Sequence, residues 1–157
     1  MKRVRPPYDF DALHALLLKS FAYMEGRIEP PSSLHRMTAA TLEQDARDKE
    51  LWVIEDKGRP IACMILTAQP DTLYLGKLAV DADHRGQGLA RQLAEQAQTR
   101  ARQLDLPSIT LQTRVELTEN HAAFEKMGFV QTGSTAHEGF DRPTSLTFVK
   151  PVPPNPL

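Results

Sequence analysis

The sequence predicts an α/β protein of the α+β kind, built on a mixed, mostly antiparallel sheet of six to seven strands with helices on both faces. Three observations predict it. Hairpin signals come first along the chain and strand–helix–strand units come after, which mixes antiparallel and parallel pairing in one sheet. A long amphipathic segment, with Leu89, Leu93, Ala97, Ala101 and Leu104 recurring every three to four residues, must lie against that sheet. The 157 residues, 41% hydrophobic and 25% charged, suit one soluble domain at roughly 150 residues per domain.

A short strand is expected at Lys2 to Arg5, followed by a helix from Asp9 to Met24 with Phe10, Leu13, Leu17 and Phe21 on one face. Pro30-Pro31-Ser32-Ser33 makes Gly26 to Ser33 a loop, because each proline turns its predecessor away from helix. A second helix should run from Thr38 or Thr41 to Asp48, with Thr41 and Gln44 fitting a capping box. Leu51 to Ile54 and Pro60 to Thr67 read as a hairpin joined at Asp56-Lys57-Gly58-Arg59. A strand from Thr72 to Val80, a helix from Gly88 to Leu104 and a strand from Ser108 to Arg114 follow. A helix near Glu119 to Met127 then precedes two strands, near Val130 and at Thr144 to Val149. The domain is set at residues 1–150. Of the twelve prolines, four fall between Pro151 and Leu157, so that stretch reads as an extended Pro-rich C-terminal tail.

Composition narrows the function classes. Nineteen Lys and Arg against twenty Asp and Glu leave a formal net charge of −1, without the basic excess of a nucleic-acid binder. The longest apolar run, Ile61 to Leu66, is far short of the roughly 20 residues that span a bilayer, so no membrane association is expected. Cys63 is the only cysteine and reads as a small buried hydrophobe, and Trp52 reads as core. With no oxidising-compartment signature and no apolar segment after the basic N-terminus, a cytoplasmic location is expected. His14, His35, His84, His121 and His137 show no metal-ligand spacing, so no metal is expected and all five read as surface or supporting residues.

Chemistry is signalled by two adjoining features. In the strand ending at Val80, Leu73 and Leu75 share one parity while Leu78 and Val80 have the other, with Gly76-Lys77 between them. A β-bulge produces such a slip, and glycine best takes its dihedrals; a strand buried on both faces at its end would break the alternation too. Directly after it, Arg85-Gly86-Gln87-Gly88-Leu89-Ala90 opens the long helix. A helix start leaves amides unpaired and carries partial positive charge, so it attracts phosphate, and glycines let oxygen atoms approach. A helix entered through a flexible turn is the alternative. Arg91 stands where the Rossmann fingerprint needs its third glycine, and no Gly-Lys-Ser/Thr of a P-loop occurs.

Arg85-Gly86-Gln87-Gly88-Leu89-Ala90 resembles the Q/R-x-x-G-x-G/A loop of the GNAT superfamily of N-acetyltransferases. The resemblance extends upstream through Leu78-Ala79-Val80 and downstream through Ile109 to Arg114, and it closes at Phe124-Glu125-Lys126-Met127-Gly128-Phe129, similar to the family's Y-E-K-x-G-F ending. It implies a GNAT-like acyl-CoA N-acyltransferase fold, acetyl-CoA as acyl donor in a cleft between two splayed strands, and an amine acceptor. Carried over, main-chain groups of Leu78, Ala79 and Val80 would pair with the pantetheine arm. The amides of Arg85, Gly86, Gln87, Gly88, Leu89 and Ala90 would hold the pyrophosphate, with Asn120 and Phe124 beside the arm.

Phe124 is a departure, since the family often carries there a tyrosine that protonates the departing thiolate. A thiol with a pKa of about 8 to 9 is nevertheless a tolerable leaving group. An amine is mostly protonated at neutral pH, so a carboxylate would help deprotonate it; Glu116, just beyond the strand, is one candidate and Glu29 another, while Tyr74 could orient a water. The second reading is a non-catalytic acyl-CoA-binding or sensor module that kept the cleft and lost the acid. The resemblance puts the acceptor site at Gly26 to Met37 and Ser134 to Arg142, whose mixed charges name no acceptor. A homodimer is compatible with the sequence, though no feature of it points to one.

Overall fold

Asp9 starts the first helix by accepting a hydrogen bond from the Ala12 amide at 3.0 Å, filling one of the donors a helix start leaves free. A computed structural model describes residues 1–154. In chain order it contains β1 (Lys2–Val4), α1 (Phe10–Ser20), α2 (Ala39–Asp48), β2 (Glu50–Asp56), β3 (Arg59–Ala68), β4 (Leu73–Val80), α3 (Leu89–Gln103), β5 (Ser108–Arg114), α4 (Thr118–Lys126), β6 (Val130–Thr135) and β7 (Ser145–Pro151). The seven strands form one sheet in the order β1-β2-β3-β4-β5-β7-β6. Only β4 and β5 run parallel; the other neighbours are antiparallel. This is the mixed sheet that the hairpin and crossover signals predict.

Each face of the sheet carries its own core. Phe10, Leu13 and Leu17 of α1 and Leu42 of α2 pack with Leu51, Val53, Cys63, Ile65 and Ala79 on one face. Leu89, Leu93 and Ala97 of α3 pack with Met64, Leu66, Leu73, Leu75, Ile109 and Phe148 on the other, joined by Phe124 and Met127 at α4. Cys63 is buried as a hydrophobe, and Trp52 is partly buried against the second core. Leu93 has no exposed surface, so Leu93→Ala is expected to cost about 2–5 kcal/mol of stability by leaving a cavity, measurable as a lowered urea midpoint. No described helix is long and apolar enough to cross a membrane.

Some boundaries differ from the sequence expectation. α1 ends at Ser20, and a 3₁₀ turn at Ala22–Met24 follows, where Met24 donates to the Phe21 carbonyl and the chain tightens. The capping box of α2 is formed by Thr38 and Thr41, not by Thr41 and Gln44. Thr41 Oγ1 accepts from the Thr38 amide at 2.9 Å, while Gln44 instead donates to Asp48 at 2.8 Å. At the C-terminus, β7 reaches Pro151, which pairs with Ser108, and the Val152 amide donates to the Pro107 carbonyl at 2.8 Å. Pro151 needs no amide at a strand's last position, and Val152 is buried in the second core. The stretch set apart as a tail therefore begins inside the fold, while Asn155 to Leu157 lie outside the described residues.

Candidate functional site

The parity break in β4 is a bulge. Cys63 pairs with Ala79 and Ile65 with Gly76, so two steps along β3 face three along β4. The extra residue keeps Leu78 and Val80 on the face already occupied by Leu73 and Leu75, where all four meet the second core. Lys77, not Gly76, takes the left-handed backbone, with φ of 52°. Gly76 serves by its size, since a Cβ there would come within 3.3 Å of the Tyr74 ring. This corrects the expectation that the glycine would carry the bulge dihedral.

Beyond the bulge the sheet opens. β4 and β5 pair only at Leu73 with Ile109 and at Tyr74 with Thr110. Past Tyr74 the two strands form no further ladder, while β5 continues against β7 as far as Arg114. A cleft of about 1270 Å³ fills the gap. Tyr74, Leu78, Val80, Asn120 and Phe124 line it, and so do Arg85, Gly86, Gly88, Leu89 and Ala90. Ala79 and Gln87 do not: Ala79 is packed into the first core and the Gln87 side chain is exposed.

At one end of this cleft α3 begins. Gly88 is its N-cap, left-handed at φ of 76°, and no side chain caps the helix. Gly86 is also left-handed at φ of 80°, and a Cβ on either glycine would meet nothing within 4 Å. The amides of Gly86, Gln87, Gly88, Leu89 and Ala90 donate to no main-chain acceptor among the described residues. The Arg85 amide is spent on the Ala82 carbonyl at 3.4 Å, which removes it from the expected donor set. Upstream, His84 is held between Asp81 and Asp56, and its pKa is raised, first by the hydrogen bond to Asp81. Free amides, a helix N-terminus, the open space over two glycines and Arg91 nearby suit a diphosphate. Thr113, buried on β5 at the edge of the gap, has a hydroxyl without a partner, so the opening also offers a polar atom to an extended ligand.

α4 flanks the other side. The Phe124 ring packs edge-on against Phe129 at 5.9 Å, which fixes the wall it presents. Asn120 lines the cleft, but its amide donates to the Tyr23 hydroxyl at 3.0 Å, so its expected hydrogen bond to a ligand competes with one already made.

A strap crosses the far end. Arg27 makes two bonds to Glu119, at 2.7 and 3.0 Å; the Glu29 amide donates to Glu116 at 3.2 Å; and Arg114 donates to the Pro30 and Pro31 carbonyls. On the opposite bank Lys77 Nζ donates to Ser33 Oγ at 3.2 Å. The loop 26–33 thus spans the parted strands from β5 to β4. Glu116, expected as a base, accepts from the strap through Oε2 while its Oε1 is buried without a partner, and it is not among the residues lining the cleft. Glu29 lies within 3.7 Å of Arg142.

The titratable side chains of the cleft are mostly engaged. Glu119 is paired with Arg27, Asp45 with Lys49, and His35 with Glu25. Burial raises the Tyr74 phenol, which therefore stays protonated near neutrality. His137 differs. Its Nδ1 meets Thr144 Oγ1, whose hydroxyl also accepts from the His137 amide and donates to the Thr135 carbonyl. In the tautomer in which Nδ1 donates to Thr144 Oγ1, Nε2 keeps its lone pair, and Nε2 has no partner among the described residues. Desolvation first, and then the nearby Arg114 charge, lower its pKa, so the ring is neutral at neutral pH. Sequence reading placed His137 among surface or supporting residues. No spacing signals it, because its orienting partner lies seven residues away across a turn.

The sequence profile of the Acetyltransferase (GNAT) family matches residues 10–129. The peptidyl-lysine N-acetyltransferase YjaB of Salmonella typhimurium is 32% identical over 97 residues, which cover 61% of this chain and 61% of that protein, so the match spans under two thirds of the relative's length. Among solved structures, a GNAT-family acetyltransferase of Staphylococcus aureus superposes with a TM-score of 0.75 at 14% identity, covering 97% of this chain and 98% of the other. A GNAT-family acetyltransferase of Elizabethkingia anophelis, solved with acetyl-CoA bound, gives a TM-score of 0.66 at 17% identity over 96% and 95% of the two chains.

Proposed function

Because the chain belongs to the GNAT family of acetyltransferases, we propose that it moves an acetyl group from acetyl-CoA to an amine by direct attack. The observation that carries this reading is the parting of β4 and β5 after Tyr74, with free amides at one end of the opening and the His137 imidazole, its Nε2 without a partner, lining it. Bound there, acetyl-CoA supplies a thioester carbon open to a nucleophile.

The chain's own groups divide the remaining work. The main chain of Leu78, Ala79 and Val80 offers the pantetheine arm a strand edge, and the amides of Gly86 to Ala90 hold the diphosphate, with Arg85 and Arg91 adding charge. Phe124 bounds the arm on the α4 side. His137 Nε2 takes the proton from the acceptor amine as the N–C bond forms. The C–S bond breaks, and the thiolate takes its proton from water, since Phe124 has none to give. Tyr74, protonated and facing the cleft, can order that water.

The test is CoA thiol release against a panel of amines, paired with calorimetry for CoA. Turnover with at least one amine is expected. Tight CoA binding without turnover on any amine would instead mark an acyl-CoA-binding module. Phe124→Tyr is expected to raise kcat about tenfold by restoring an acid near the leaving thiolate; an unchanged kcat would show that protonation of the thiolate does not limit the rate.

A further inference from the structure

On the α1/α2 face of the sheet, under the strap, the cleft is lined by Ser20, Asp45 and Lys49. Two cations flank the opening there: Lys77 in the β4 bulge, three residues past the last β4–β5 pair, and Arg114 at the end of β5, four residues past it. Neither has a carboxylate within ion-pair distance among the described residues. Lys77 Nζ has only the Ser33 hydroxyl, and Arg114 uses two of its guanidinium N–H groups on the loop carbonyls, leaving others free. The carboxylates that line the cleft, Glu119 and Asp45, are each matched by a cation of their own.

A part-buried cation without an ion-paired counter-charge is costly: burial lowers the pKa of both Lys77 and Arg114, and the charges of Asp45 near Lys77 and Glu116 near Arg114, neither within ion-pair distance, offset it only in part. Lys77 also carries a backbone conformation that suits glycine and costs a side chain about 1 kcal/mol or more. Strain kept beside a cleft points to use of the side chain it presents. A polyamine or a lysine side chain would bring further positive charge to this place, whereas an anionic group would supply the direct ion pair that neither cation has.

We propose that the acceptor is a small amine bearing an anionic group on a neighbouring carbon, as in a free amino acid, with Lys77 and Arg114 holding the anion while the amine faces the parted strands. The inference rests on the acetyltransferase reading and specifies its substrate class. The anion's grip sets the amine's direction, because the two cations stand on opposite banks of the opening.

The experiment compares kcat/KM for a set of L-amino acids, their carboxamides, 2-aminoethylphosphonate, spermidine and a lysine-containing peptide, with CoA binding measured in parallel. Free amino acids or the phosphonate are expected to exceed the carboxamides by about tenfold or more, although the carboxamide amine is the less protonated nucleophile. The phosphonate arm tells a carboxylate site from a phosphate site. Lys77→Gly, which relieves the backbone and should fold well, is expected to raise KM for the anionic acceptors about tenfold while leaving KM for acetyl-CoA unchanged, and Lys77→Arg to restore it. Equal or better turnover of carboxamides, spermidine or the peptide would overturn the substrate class while leaving the acetyltransferase reading intact. Turnover of nothing, with CoA bound, would overturn the activity and this inference together.

Discussion

Gly88→Trp is expected to weaken CoA binding at least a hundredfold, measured by calorimetry on a protein whose circular dichroism shows it folded. Gly88 sits at φ of 76° with nothing within 4 Å of where its Cβ would stand, so the change meets no packed neighbour. What it fills is the space above the free amides of Gly86 to Ala90. Those amides cannot donate to a diphosphate that an indole keeps several ångströms away, and removing several charge-assisted hydrogen bonds at roughly 1.5–3 kcal/mol each exceeds what a hundredfold loss requires. The left-handed backbone adds strain to the variant, so Gly133→Ala, at a site with open space and an ordinary φ, is the control and should bind CoA normally.

His137→Gln is expected to lower kcat about a hundredfold or more, within the range that general-base catalysis supplies. Glutamine fits the site and can still donate to Thr144, but it accepts no proton at neutral pH. The pH profile separates this from a packing effect. Desolvation and the Arg114 charge hold the His137 pKa below its ordinary 6.5, so the base is neutral and competent above that value. The low-pH inflection of kcat/KM therefore falls below about 6.5, and His137→Gln should abolish it, leaving only the rise set by the acceptor amine. The sign for stability follows too. A lowered folded-state pKa favours the neutral ring, so its contribution is present above the unfolded pKa and is lost as pH falls through the folded one. An inflection that persists in the glutamine variant would assign the base elsewhere.

Much of the scaffold was legible because its signals are local. Leu89, Leu93, Ala97 and Ala101 mark α3 by spacing alone, and the parity switch from Leu75 to Leu78 announces the bulge before any coordinate does. The glycine-rich entry to α3 was legible for the same reason, Gly86, Gly88 and the helix that follows being contiguous. What escaped depended on neighbours distant in sequence. His137, proposed as the base, owes its setting to Thr144, seven residues on, which meets its Nδ1, and to burial and then the Arg114 charge of another strand, which lower its pKa. Glu116 stands just past the end of β5, yet its Oε2 accepts from the Glu29 amide, 87 residues away, and the residue does not line the cleft. Glycine is the expected left-handed residue of the bulge, whereas Gly76 is set by the Tyr74 ring, which leaves little room for a Cβ, and Lys77 takes the left-handed backbone.

The most direct measurement is a crystal structure of the protein with CoA. Diphosphate oxygens are expected within about 3 Å of the amides of Gly86 to Ala90, with the pantetheine arm lying between β4 and β5 beyond Tyr74. Density for the nucleotide away from that helix start, or strands found zipped together past Tyr74 with the arm outside them, would contradict that placement.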